Sequence, residues 1–185
     1  MRIAVYSGSF NPLHIGHLAI LRTLSADPET GWIYLVVSPK NPLKEGISAD
    51  TGRERYRAAL KAVGRHPELR VWVDDIELDM EPPHYTIRTL DALRAREPEN
   101  DYVLIIGADN LADIRRWRDY ARILTEYGVC VYPRKGFDIR QLKEDLLREN
   151  PAYRIDLIQA PQVDISSTDI REGLARGEDM SAWLM

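Results

Sequence analysis

Six short runs of apolar, β-branched and aromatic residues punctuate the chain, at residues 2–6, 32–37, 70–73, 102–106, 128–132 and 155–158. Between them apolar positions recur at helical spacing, near 16–26, 50–63, 86–96, 119–126 and 137–148, with shorter stretches near 168–176 and 178–184. Strand and helix alternate, and the strands read as nearly continuous hydrophobic runs rather than as alternating ones. That pattern predicts an α/β fold with a doubly wound parallel sheet of about six strands, covered by helices on both faces in three α/β/α layers. Ligands of such sheets bind past the carboxyl ends of the strands. The loops after residues 6, 37, 106 and 132 are therefore expected to surround one crevice.

Length and composition narrow the class without changing this picture. A chain of 185 residues is most simply one domain spanning 1–185, long enough to bury a substantial core. Its formal charge of −4, with the basic residues dispersed, argues against a nucleic-acid surface. The single cysteine, Cys130, lies in an apolar run, makes no internal disulfide and suits a reducing, cytoplasmic compartment. No apolar stretch is long enough to span a membrane, and residues 1–10 read as a strand rather than a signal peptide. A homo-oligomer is compatible with the sequence.

The crevice loops carry the chemistry. After the first strand comes Gly8-Ser9-Phe10-Asn11-Pro12-Leu13-His14-Ile15-Gly16-His17, a glycine-and-proline turn that delivers two histidines to the start of a helix. On a helical first turn residues three apart share a face, and free backbone N–H groups with the positive end of the helix dipole lie beside them. The combination suits a polyphosphate. Zinc is a poor alternative, since no third ligand stands at a helpful spacing. The glycine spacing matches neither a Gly-x-Gly-x-x-Gly fingerprint nor a P-loop.

Three further segments point to the same crevice. Ser38-Pro39-Lys40-Asn41-Pro42-Leu43-Lys44 is a stiffened loop with two lysines for a phosphate, or simply an exposed polar loop. In Ile106-Gly107-Ala108-Asp109-Asn110, the glycine at a strand end permits close backbone approach and Asp109 can accept from ribose hydroxyls, or cap a helix. Trp117 follows, either in the core or stacked on an aromatic base. Finally, Ile165-Ser166-Ser167-Thr168-Asp169-Ile170-Arg171 reads as a helix start. A cation in that first turn opposes the helix dipole, and a bound anion reconciles the arrangement.

The first and last of these motifs, in that order and at opposite ends of the chain, resemble the nucleotidyltransferase superfamily. Those between them, Pro39 to Lys44, Tyr85-Thr86 with Thr89-Leu90, and Ile106 to Asn110 with Trp117, resemble the bacterial nicotinate mononucleotide adenylyltransferases in particular. The resemblance covers nearly the whole chain and implies a Rossmann-like fold. It departs at His84, where the family usually has serine, and at Lys135, where it usually has proline. The apolar ending Ala182-Trp183-Leu184-Met185 stops where the family's chains commonly continue, which implies a truncated or incomplete chain.

The resemblance implies a reaction. The 5′-phosphate of nicotinate mononucleotide attacks the α-phosphorus of ATP, giving nicotinate adenine dinucleotide and pyrophosphate without a protein nucleophile. It places the catalytic roles on His14, His17 and Arg171. ATP is implied to contact Gly8, Ser9, Phe10, His14, His17, Lys44, Gly107, Asp109, Arg134, Ser167, Thr168 and Arg171, and the pyridine nucleotide Asn41, Tyr85, Thr86 and Trp117. Mg²⁺ is expected to arrive with ATP rather than in a carboxylate cage of the protein, so no resident metal is expected. Neither nucleic acid nor membrane is an expected partner. A phosphopantetheine adenylyltransferase would share both phosphate motifs, and a nucleotide sensor would share the fold. The aromatic residues argue against the former, and the presence of His17 and Arg171 argues against the latter.

Overall fold

The computed structural model describes residues 1–39 and 50–185. Six strands form one parallel sheet: β1 (Arg2–Gly8), β2 (Trp32–Val37), β3 (Val71–Asp74), β4 (Asp101–Gly107), β5 (Val129–Tyr132) and β6 (Ile155–Leu157). Their order in space is β3-β2-β1-β4-β5-β6. The crossovers carry helices α1 (Ile15–Ala26), α2 (Asp50–Gly64), α3 (Thr86–Arg96), α4 (Ala108–Ala112), α5 (Tyr120–Arg122) and α6 (Ile139–Glu149), and α7 (Ser167–Ala175) follows the last strand. This is the expected Rossmann-like three-layer α/β/α arrangement. Among the described residues, no helix is long and apolar enough to cross a membrane.

Burial on both faces explains the strand sequences. Successive side chains of a strand point to opposite faces. Ala4 and Tyr6 of β1 pack with Leu21, Leu24, Ile33 and Leu35 on one side of the sheet. Ile3 and Val5 pack with Leu90, Leu104, Ile106 and Leu124 on the other. Both faces must therefore be apolar, and the hydrophobic runs are continuous for that reason. Cys130 is buried on the first of these faces.

The winding also fixes where a ligand can enter. From β1 the sheet grows through β2 to β3 in one direction and through β4 to β6 in the other. Loops leaving the carboxyl ends of β1 and β4 consequently diverge and leave a crevice between them.

Some elements differ from the periodicity. The stretch near 119–126 is a short α5 that widens into a π-helical turn, Ile123–Tyr127. The stretch near 178–184 is only a 3-10 turn, Ser181–Trp183, and Gly177, at φ 75°, separates it from the preceding helix. Helix α4, five residues long, had no visible period because it is barely more than one turn. The apolar chain end is packed rather than loose: Met185 is buried, and Leu184 forms an antiparallel bridge with His14.

Candidate active site

The site is built outward from the end of β1. Gly8 closes the strand, and a side chain there would come within 3.1 Å of the Phe10 ring, so the glycine makes room for that ring to fold back. Phe10 takes a left-handed backbone conformation, φ 45°, which is strained for a residue with a side chain. Its buried ring meets Tyr6 and His17 edge-on at 5.3 and 5.2 Å between centroids. The aromatic floor thus supports one of the two histidines directly.

His14 is not in the helix but caps it. Its Nδ1 accepts from the backbone N–H of Gly16 at 3.1 Å, and the Nδ1 of His17 accepts from the backbone N–H of His14 at 3.1 Å. The two rings stack with centroids 3.7 Å apart. Gly16 is required for this arrangement, because a Cβ there would stand 2.8 Å from the His14 ring. With both Nδ1 atoms accepting, the neutral rings carry their protons on Nε2, which is free to donate.

Both rings are held neutral. Burial lowers the His14 pKa from 6.5 to about 4, and the charge of Arg134 pushes the same way. Burial likewise holds His17 well below its ordinary value, with His14 and Arg134 adding to the effect. Two oriented, uncharged donors at the N-terminus of α1 suit an anion that brings its own charge.

The facing wall comes from β4, β5 and the segment after β6. A cleft of about 570 Å³ is lined by His14 and His17 together with Asp109, Tyr132, Arg134 and residues 160–165. Gly107 ends β4 as the cap of α4, and a side chain there would collide with Asp109 Oδ1 and crowd the Tyr132 ring. Asp109 is the second residue of α4 and does not cap it. Its Oδ1 lies 3.8 Å from Arg134 Nε, and the Arg134 guanidinium sits over Tyr132 at 5.2 Å from the ring centroid.

The start of α7 is stapled to the first loop. Ser166 and Asp169 form a reciprocal capping box, as the sequence predicts for a helix start. Ser167 Oγ donates to the carbonyl of Pro12 at 2.9 Å. Arg171 Nη1 donates to the carbonyl of Asn11 at 2.6 Å and Nη2 to Thr168 Oγ1 at 3.1 Å. Residues 160 apart in sequence are thereby joined at the loop that precedes His14, although Ser167, Thr168 and Arg171 are not among the residues that line the cleft.

The residues expected to hold the pyridine nucleotide form a separate group. Tyr85 caps α3, Thr86 is its first residue, and the Arg118 guanidinium lies 5.3 Å from the Tyr85 ring centroid. Trp117 is half-buried against the core face that holds Leu111 and Ile114. None of these three lines the cleft beside the histidines. His84 bonds the carbonyl of Met80 at 2.9 Å, and Lys135 stands in the cleft wall. Asn41 and Lys44 lie outside the described residues.

Sequence reasoning missed three contributors. Tyr6 and Tyr132 line the cleft from strand positions that read as core. The segment from Ala160 to Ile165 lines it too, and its only sequence signal is its position just before a helix start. Arg55 is buried within α2 behind the first loop, where its Nη1 donates to the carbonyls of Ser9 and Ser38 at 2.6 and 2.8 Å. Nothing local in a polar helix segment distinguishes it from the arginines on either side.

The chain matches the cytidylyltransferase-like family over residues 5–173. It is 37% identical over 184 residues to a probable nicotinate-nucleotide adenylyltransferase of Bacteroides thetaiotaomicron, covering 100% of this chain and 87% of that relative. A protein so described from Porphyromonas gingivalis is also 37% identical, over 100% of this chain and 89% of its own length. The chain belongs to the nicotinate-nucleotide adenylyltransferase family.

The nicotinate-nucleotide adenylyltransferase fold is also shared at low identity. The Plasmodium falciparum nicotinic acid mononucleotide adenylyltransferase, solved complexed with NaAD, superposes with a TM-score of 0.79 at 21% identity, covering 99% of this chain and 90% of that one. In this chain the two oriented imidazoles stand at the topological switch point of the sheet.

Proposed function

We propose that the chain transfers the adenylyl group of ATP to nicotinate mononucleotide, giving nicotinate adenine dinucleotide and pyrophosphate, a step of NAD biosynthesis in the cytoplasm. The observation that carries this reading is the pair of neutral histidines, each accepting at Nδ1 and free to donate at Nε2, at the N-terminus of α1 in the crevice. The names of the chain's relatives supply the substrate.

The chemistry follows from the geometry. A phosphate oxygen of the mononucleotide attacks the α-phosphorus, the new P–O bond forms as the bond to the β-phosphate oxygen breaks, and pyrophosphate leaves. No protein nucleophile is needed, so the protein's part is positioning and charge stabilisation of an in-line displacement. His17 Nε2–H donates to the oxygens around the reacting phosphorus and His14 to the adjoining phosphates. Arg171, with the Ser167 and Thr168 hydroxyls, holds the triphosphate end. Gly8, Ser9 and Phe10 offer backbone N–H groups, Lys44 a further cation, and Arg134, Gly107 and Asp109 frame the nucleoside side.

Mg²⁺ comes in as part of the ATP complex. An ion bound mainly by substrate phosphates needs no carboxylate cage of the protein.

The pyridine ring is assigned to Tyr85, Thr86 and Trp117, together with Asn41. Tyr85 makes no side-chain bond to the start of α3, so the first backbone N–H groups of that helix are available to the ring carboxylate. Pyrophosphate release from ATP, assayed with nicotinate mononucleotide, its amide counterpart and phosphopantetheine in parallel, tests the assignment. Release with the acid form above the other two supports it, and release with phosphopantetheine alone overturns it.

A further inference from the structure

Arg55 lies in the interior of the protein with an unbalanced charge. It is 5% exposed, and its only hydrogen bonds among the described residues run from Nη1 to the carbonyls of Ser9 and Ser38, at 2.6 and 2.8 Å. Nε and Nη2 are buried without a partner, and no carboxylate among the described residues pairs with the guanidinium. Burial lowers its pKa accordingly. A buried cation with unused donors is expensive to fold around and is kept only where it does something specific.

What it grips is the turn that carries the proposed phosphate contacts. The Ser9–Phe10 peptide is trans, so with its carbonyl fixed on Arg55 its N–H is directed the opposite way. Among the described residues the Phe10 N–H has no protein acceptor. Phe10 itself is in the left-handed conformation that this peptide orientation goes with.

The second anchor, Ser38, is fixed independently. Its hydroxyl meets Ser7 Oγ at 3.0 Å, and Ser7 donates to buried Glu77 at 3.3 Å. Thr89 of α3 donates to the same Glu77 oxygen at 2.8 Å. Arg55 therefore holds the turn against a point that is itself tied to α3.

We infer that Arg55 is a positioning residue for adenylyl transfer: by holding the Ser9 carbonyl inward it presents the Phe10 N–H to a phosphate oxygen of ATP. The inference rests on the reaction proposed above. It assigns to a residue of α2 the task of setting one donor of the loop that follows β1. Both carbonyls accept from Nη1, whose place is fixed by the planar guanidinium; lysine keeps a charge but carries its nitrogen on a shorter, flexible stem.

Two measurements test it. In uniformly ¹⁵N-labelled wild-type protein, saturation with a non-hydrolysable ATP analogue moves the Phe10 amide proton downfield as it gains an anionic acceptor. An unmoved Phe10 amide at saturation overturns the inference. In parallel, R55K and R55M are compared with wild type for kcat, for KM of each substrate and for the circular dichroism of the free protein. A displaced donor lowers kcat by roughly 10²-fold with KM for the mononucleotide little changed. Unchanged kcat in a folded variant overturns the inference, as does an equal rise in both KM values at constant kcat. If neither variant folds, the wild-type amide titration decides alone. Failure of wild type to release pyrophosphate from ATP and the mononucleotide counts against the proposed reaction, whereas the analogue titration bears on Arg55.

Discussion

His14 and His17 hold each other. The backbone N–H of His14 donates to the ring of His17 at 3.1 Å, the two rings stack at 3.7 Å, and His14 in turn caps the helix on which His17 stands. One pair of contacts starts a helix, selects the Nε2–H tautomer of both rings and keeps them apart from protons in solution. The structural duty and the proposed catalytic one therefore fall on the same residues and have to be separated by substitution.

Glutamine at position 17 separates them. A glutamine three residues after the cap can still accept the cap's backbone N–H, so the helix start survives. The stacked ring is lost, and the amide N–H that takes its place is not held by that stacking, so loss of pre-organisation toward developing charge lowers turnover by about 10²–10³-fold. H17Q is expected to melt near wild type and to bind ATP in calorimetry while its kcat collapses. Near-normal kcat in the folded variant would remove His17 from the transition state.

The depressed histidine pKa values fix a pH dependence. The unfolded chain takes up protons near pH 6.5 and the folded chain holds His14 neutral down to about pH 4. Between these limits the unfolded state binds more protons, so stability falls as pH falls across that window. The melting temperature of wild type should drop over this range more than that of a doubly substituted H14N/H17Q protein. Catalytic efficiency, with the ionisation of ATP itself subtracted, should show no break at pH 6.5. A histidine-like break there would mean that the charged imidazole is not the excluded form.

Arg171 joins the two ends of the chain through the Asn11 carbonyl, which changes what its removal should do. The sequence suggests a cation in the first turn, but Arg171 is the fifth residue of α7, just past that turn. The helix dipole opposes it only weakly there, and it braces the loop before His14. R171K keeps the charge and loses the fork that reaches Asn11 and Thr168 together, so catalytic efficiency for ATP should fall at least about tenfold with a small loss of melting temperature. R171A should lose more activity. A wild-type rate in R171K would make the guanidinium geometry irrelevant.

Trp117 reports on the acceptor. If the pyridine stacks there, W117A should raise KM for the mononucleotide far more than KM for ATP, by the equivalent of roughly 1–3 kcal/mol. Fluorescence gives an independent reading. Trp32 and Trp72 are partly exposed in strands away from the crevice loops, and Trp183 stands next to the His14–Leu184 bridge, so the part of a change on mononucleotide binding that disappears in W117A belongs to Trp117. A fluorescence change that persists undiminished in W117A would place the ring elsewhere.

The sequence by itself determined the layers and the site's end of the sheet. Continuous apolar strands such as Val103 to Ile106 require burial on both faces, and helical periods between them require parallel crossovers. Those two conditions place the loop after β1, with His14 and His17, at the ligand-binding end of the sheet, and the strand order of the structure makes that loop the switch point. Local chemistry also marked the start of α7, since a Ser-x-x-Asp capping box is closed between residues three apart.

Only the tertiary structure decided which distant groups meet, and in which ionisation state. Arg171 reaching Asn11, Arg55 reaching Ser9 and Ser38, and Arg134 standing against Asp109 are pairings across crossovers, and periodicity carries no information about them. The protonation of His14 and His17 was likewise invisible, because burial and the nearby charge of Arg134 set it, not the identity of the residue. A linear pattern records which face each side chain needs; it does not record what arrives on that face from the other end of the chain.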